Sequence, residues 1–180
     1  EGEILQLGNI GKEDFSEEAY FDVIRKKTAA LFKASSQSGA VSVGAVQEEV
    51  MKAGLLGEMI GIAFQIKDDI FDYFESSELG KPTGNDMLEG KLTLPALYVL
   101  NQTGDDSLKQ TALKIRSLEA SKEEIANFVE TVKEKGGIEY ATRMMYEFRD
   151  KALALVPASA DSSLKEALTA YIDYVIERNK

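Results

Sequence analysis

Gln65, Asp68, Asp69 and Asp72 stand at helical offsets of three, four and seven inside the run Gly61-Ile-Ala-Phe-Gln-Ile-Lys-Asp-Asp-Ile-Phe-Asp-Tyr73. Residues so spaced share roughly one helix face, so three carboxylates and an amide come together. Exposed carboxylates three or four apart repel by roughly a few tenths of a kcal/mol, and by more once desolvated. The helix is expected to stop near Glu75 to Gly80, which leaves Asp69 and Asp72 at a C-terminus where the macrodipole favours cations. A bound divalent ion relieves both conflicts, and carboxylate oxygens suit Mg²⁺, Mn²⁺ or Ca²⁺. The cluster reads as a Mg²⁺ platform for a diphosphate, with phosphate oxygens and water completing each coordination shell. The alternative is a solvated acidic face. Phe64, Ile66, Ile70 and Phe71 among the carboxylates favour a half-buried setting.

Lys81 and Lys91 come next. They flank Gly-rich turn positions just beyond the acidic helix, and an ammonium is a point charge suited to phosphate. Without the acidic motif beside them they would read as ordinary surface lysines. Asp86 and Glu89 lie between them, to orient the loop, to bind metal-bound water, or merely to be solvated. Lys27-Thr28, followed by Ala29 and Ala30, sets an ammonium beside a hydroxyl; physics alone leaves that pair on the surface. Tyr73 and Phe74 read as core, with the wall of an apolar channel as the alternative.

Composition removes most other chemistry. The chain has no histidine and no cysteine, which excludes the usual zinc sites, Ser-His and Cys-His nucleophiles, iron–sulfur clusters and disulfides. Its 31 Asp and Glu against 21 Lys and Arg argue against a nucleic-acid binder. An anionic substrate would therefore depend on metal or on focused lysines. No apolar run approaches a bilayer span and no signal peptide opens the sequence, so a cytoplasmic location is expected.

The elements that must position these residues read as helical almost throughout. Asp14 or Ser16 caps a segment whose apolar positions include Tyr20, Val23, Ile24, Ala30 and Leu31. Gly39 and Gly44 punctuate the next stretch. A long helix is expected from Val46 to Phe74; its Gly54, Gly57 and Gly61 lower helix propensity and imply a tightly packed neighbour. Glu78 to Lys91 is turn chemistry and reads as an ordered loop. Thr93-Leu94-Pro95 restarts a short helix. Further helices are expected over Asp105–Leu118, Ser121–Lys135, Ile138–Leu155 and Ser162–Asn179, with a capping box at Ser121-Lys-Glu-Glu124. Gly136-Gly137 and Pro157 separate elements. The expected architecture is all-α, an antiparallel helix bundle forming a single domain over residues 1–180. The opening Glu1-Gly-Glu-Ile-Leu-Gln-Leu7 is already in amphipathic register and lacks Met and a cap, which is expected of part of a larger chain.

These residues resemble the trans-isoprenyl (polyprenyl) diphosphate synthases. Phe64-Gln65-x-x-Asp68-Asp69-x-x-Asp72 is similar to that family's second aspartate-rich motif, and Gly80-Lys81-Pro-Thr-Gly84 through Glu89-Gly90-Lys91 to Pro95 is similar to the segment after it. Lys27-Thr28-Ala29, preceded by Tyr20 and Ile24, is similar to an upstream Lys-Thr helix. The resemblance implies the isoprenoid-synthase bundle, of which this chain is about the C-terminal half. It implies condensation of an allylic diphosphate with isopentenyl diphosphate by Mg²⁺-assisted ionisation, giving an all-trans polyprenyl diphosphate. Asp68, Asp69 and Asp72 would hold metal. Lys27, Lys81 and Lys91 would contact the allylic diphosphate, and Gln65 and Thr28 would face the cationic carbon as dipoles. Released diphosphate would serve as the base.

The resemblance also implies a homodimer and a product passed on to a membrane enzyme. The family's first aspartate-rich motif, the arginines after it and the isopentenyl diphosphate site lie outside this sequence, so the chain alone is expected to be inactive or nearly so. Asn85 departs from an acidic residue common in long-chain members. Arg178 and Lys180 form a basic end of the kind that closes over diphosphate. The wording around Lys27 and Glu89-Gly-Lys is closer to octaprenyl-type than to farnesyl-type enzymes. A non-catalytic subunit of a heteromeric synthase and a class I terpene cyclase are the alternatives.

Overall fold

The computed structural model describes residues 1–8, 14–74 and 83–178, with Leu7 as backbone only. Every regular element among them is helical, as expected. α1 (Gly2–Gly8) lies against the next helix. α2 (Glu17–Ile24) begins where the Ser16 hydroxyl accepts the Ala19 N–H at 3.2 Å; Asp14 in turn accepts from the Ser16 N–H. α2 then runs without a break through a widened π turn, Arg25–Ala29, into α3 (Ala30–Ser42). Gly39 therefore sits inside a helix instead of punctuating one; Gly44, with φ +74°, follows its end.

α4 (Gln47–Phe71) is the axis of the molecule. It is shorter at both ends than the expected Val46–Phe74, because Val46 is extended at the cap and Asp72 to Phe74 turn. The glycines on α4 do mark a close neighbour: α3 and the π turn pack along one side of it and α9 along another. Beyond the undescribed segment, the Gly84 N–H donates to the Asp72 carbonyl at 2.8 Å, bringing the chain back to the end of α4. There the expected loop contains one helical turn, α5 (Asn85–Leu88).

α6 (Leu94–Thr103) starts with Pro95 in its first turn, where a missing N–H costs nothing. α7 (Asp106–Arg116) is capped by Asp105, and α8 (Lys122–Glu134) by the predicted Ser121–Glu124 box. Ser121→Ala should therefore cost about 1 kcal/mol in urea unfolding. Gly136, at φ +81°, turns the chain from α8 into α9 (Gly137–Ala154). α10 (Ser162–Glu177) follows a cap at Asp161.

The core gathers Ile62 and Ile66 of α4, Leu97 of α6, Phe128 of α8 and Ile172 of α10, each almost wholly buried. At about 1.5–3 kcal/mol for each buried large side chain, such burial is the main force holding α4 in register. Two expected apolar positions lie elsewhere: Leu31 is exposed and Leu55 partly so. Among the described residues no helix is long and apolar enough to cross a membrane.

Candidate active site

Side chains four apart form a row along a helix. Gly57, Gly61, Gln65 and Asp69 make one row on α4, and the continuous helix of α2, the π turn and α3 lies against it. A Cβ on Gly57 would stand 2.5 Å from the Phe32 carbonyl oxygen, and one on Gly61 would stand 2.6 Å from the Ala29 Cα. The missing side chains let the helices approach closely enough for the polar end of the row to engage. Thr28 Oγ1 donates to Gln65 Oε1 at 2.6 Å. Gln65 Nε2 donates to Asp69 Oδ1 at 2.9 Å, and the Tyr20 hydroxyl donates to Asp69 Oδ2 at 2.5 Å. The π turn carries Lys27 and Thr28; such turns occur often at functional sites.

The three carboxylates thus separate. Asp69 is buried within the helix interface. Asp68 leaves from another row and pairs with Arg178, whose guanidinium lies 3.8 Å from the centre of the Phe64 ring. Asp72 reaches over the end of α4 and accepts the backbone N–H groups of Asn85 and Asp86, each at 3.1 Å. It fastens the start of α5, where backbone donors and the helix dipole welcome a carboxylate.

Lys27, Gln65, Asp69, Asp86, Lys91 and Thr93 line a single cleft. Lys27 donates to Gln6 Oε1 at 2.7 Å and pairs with Glu3 at 3.0 Å, so α1 supplies its partners. Lys91 pairs with Glu89. Lys81 and Lys180, both singled out from the sequence, lie outside the described residues. Tyr73 is core, as expected, and Phe74 is half-exposed with Lys133 over its ring.

Burial pushes the Asp69 carboxyl up to about 8 and the Asp86 carboxylate adds to it, while the hydrogen bonds from Tyr20 and Gln65 pull the other way. Burial, then the Asp72 carboxylate, push Asp86 up to about 6, and Lys91 opposes them. Among the described residues no three acidic side chains converge to hold an ion. The donor chemistry nevertheless fits a hard divalent cation. The donors are carboxylate oxygens, and the raised carboxyls record burial first and a neighbouring carboxylate second, both of which positive charge would offset. Asp68 and Asp72 are the two that stand outside the buried interface.

The sequence places Tyr20 among the apolar positions of its helix and ahead of the Lys-Thr pair, with no role for its hydroxyl. The overlooked signal was its hydroxyl, which in a buried tyrosine needs a partner.

The polyprenyl synthetase family profile matches residues 1–132. Octaprenyl diphosphate synthase of Escherichia coli is 32% identical over 181 aligned positions, covering 100% of this chain and 56% of that protein. Heptaprenyl diphosphate synthase component 2 of Geobacillus stearothermophilus is 35% identical, covering 95% of this chain and 53% of that protein. The crystal structure of geranylgeranyl pyrophosphate synthase from Bacteroides thetaiotaomicron is 57% identical with a TM-score of 0.93, covering 98% of this chain and 59% of that one. The chain spans about half the length of the curated relatives it matches, and its helices follow the all-α isoprenoid-synthase fold of those enzymes. A profile match across most of the sequence, together with this fold, places the chain in the polyprenyl synthetase family.

Proposed function

We propose that this chain belongs to a trans-prenyltransferase that condenses an allylic diphosphate with isopentenyl diphosphate to make an all-trans polyprenyl diphosphate. One observation carries the reading: beside α4 a single cleft gathers Lys27, Lys91, Asp69, Asp86 and Gln65, whose amide Thr28 holds, while Asp68 and Asp72 stand near the end of the same helix. Asp68, with Asp72 through its remaining lone pairs, would hold Mg²⁺. Bound there, the ion would stabilise the negative charge of departing diphosphate.

Lys27, Lys91 and Lys81 neutralise the allylic diphosphate. Thr28 spends its proton on Gln65, so its lone pairs stay available to face positive charge. The Gln65 carbonyl oxygen points to the same place, and together they line the position of an allylic cation with the negative ends of fixed dipoles. Released diphosphate takes the final proton in a chain without histidine. Names among the relatives include both octaprenyl and geranylgeranyl enzymes; the octaprenyl-type product is our proposal on motif wording.

Homodimerisation is proposed as well, supported by α3, which exposes Leu31 and Val41 and buries none of its residues. A relative named as a component of a heptaprenyl synthase keeps a partnered, non-catalytic role as the second reading.

The test is to give the full-length protein labelled isopentenyl diphosphate, an allylic primer and Mg²⁺. Label should enter chains longer than the primer, and EDTA should abolish this. No incorporation by the protein alone, with incorporation restored by a partner subunit, would replace the first reading with the second.

A further inference from the structure

We propose that Asp69 acts on Gln65 and not on an ion: with Tyr20 it forms an internal bracket that decides which end of the Gln65 amide faces the cleft. The inference rests on the prenyltransferase reading for its consequence in turnover. The bracket itself stands on geometry.

An amide has a donor end and an acceptor end, and burial fixes which neighbour meets which. Both oxygens of Asp69 receive hydrogen bonds, one from the Tyr20 hydroxyl at 2.5 Å and one from Gln65 Nε2 at 2.9 Å. Each Asp69 oxygen is already an acceptor, so the side chain meets the NH₂ end of Gln65 and not its carbonyl. The carbonyl oxygen is thereby directed at Thr28 and the cleft, where Thr28 Oγ1 reaches it at 2.6 Å. Asp69 is 4% exposed and Tyr20 8%. If Asp69 swung out to an ion, a buried hydroxyl and a half-buried amide N–H would lose their acceptor. Tyr20 holds the second oxygen and so fixes the carboxylate plane. It is a positioning residue.

Exchange of donor and acceptor tests this in the full-length protein. Asp69→Asn keeps the size but leaves one oxygen, which still accepts from Tyr20. Its new NH₂ group confronts the Gln65 NH₂, and two donors cannot pair. The reverse placement, with the Asn NH₂ toward the Tyr20 hydroxyl oxygen, would leave that buried O–H without its acceptor, so Gln65 is expected to turn over instead, sending its own NH₂ toward the cleft. Turnover should fall about tenfold or more, the usual consequence of losing a buried orienting partner. Mn²⁺ affinity, followed by electron paramagnetic resonance, should stay within about threefold of the unaltered protein, as for a site not itself ligating.

Adding Gln65→Glu to Asp69→Asn restores the match. The carboxylate introduced at position 65 accepts from the new NH₂ group at position 69 on one side and from Thr28 on the other. The double variant should regain turnover to within about threefold of the unaltered protein.

A metal ligand at Asp69 predicts the reverse: Asp69→Asn weakens Mn²⁺ binding, and Gln65→Glu does not repair turnover. Either result overturns the bracket. Should Asp69→Asn fail to fold, Tyr20→Phe keeps the ring and removes one donor. Reduced kcat with unchanged Mn²⁺ affinity is then expected, and unchanged kcat overturns the role of Tyr20. If the unaltered protein elongates no primer, the proposed function fails. The bracket is still judged by Mn²⁺ affinity and by the Gln65 side-chain amide signals in ¹⁵N–¹H spectra, which must shift in Asp69→Asn. Unmoved signals would overturn it.

Discussion

Asp68→Ala in the full-length protein should lower turnover at least about a hundredfold, the loss typical when one preorganised electrostatic stabiliser is removed. Stability should scarcely change. The Asp68 side chain is 43% exposed, and exposed ion pairs are worth about 0–1 kcal/mol. In a protein of at least this length, 1 kcal/mol moves the unfolding midpoint by about 2–4 °C, which bounds the expected shift. Its partner is not stranded, because Arg178 keeps its stacking on Phe64 and its exposure to water. Turnover and Mg²⁺ dependence should thus separate from stability. The variant should need more Mg²⁺ for half-maximal rate, which loss of an ion pair with Arg178 alone does not require. Turnover within a few-fold of the unaltered protein, at equal Mg²⁺, would remove Asp68 from metal binding and leave it as the anchor of the C-terminal arginine.

The helices were legible because each carries its own local signals. The Ser121–Glu124 box, Ser16 and Asp105 act over three residues, within reach of a sequence reading. The π turn at Arg25–Ala29 was not legible, since one extra residue in a turn changes no residue type and barely alters an apolar stripe. The turn of helix at Asn85–Leu88 was hidden for another reason. It depends on Asp72, thirteen residues away, for acceptors to its first N–H groups.

Spacing names the residue types on this stretch of α4 but not their geometry. Offsets of three and four are both neighbours on a helix, so spacing alone could not tell Asp68 from Asp69. The glycines held the missing information. Continuing the row Gly57, Gly61 by fours leads to Gln65 and then Asp69, not to Asp68. A row that begins as the closest helix contact remains an interface at its polar end. Tyr20 and Thr28 are what that interface requires opposite a carboxylate and an amide.

The same row supports the largest expected effect on stability. Gly57→Val should destabilise the fold by about 3 kcal/mol or more, at the upper end of overpacking costs. Two effects compete. Replacing an interior helical glycine by β-branched Val relieves a propensity penalty of only about a few tenths of a kcal/mol. Against this, the new Cβ would stand 2.5 Å from the Phe32 carbonyl oxygen and closer still to Ser36 Oγ. Ser36 can rotate away, but the carbonyl belongs to the backbone of α3, so two packed helices must separate. Separation would also loosen the Thr28–Gln65 contact two turns further along. Gly39→Ala is the matched control. It lies on α3 with nothing within 4 Å of its added Cβ, so only the propensity gain remains, and stability should rise by about 0.5–1 kcal/mol. Urea unfolding of both variants reads the contrast directly. Equal behaviour of the two would mean that the approach of α3 to α4 is not what the glycine at position 57 serves.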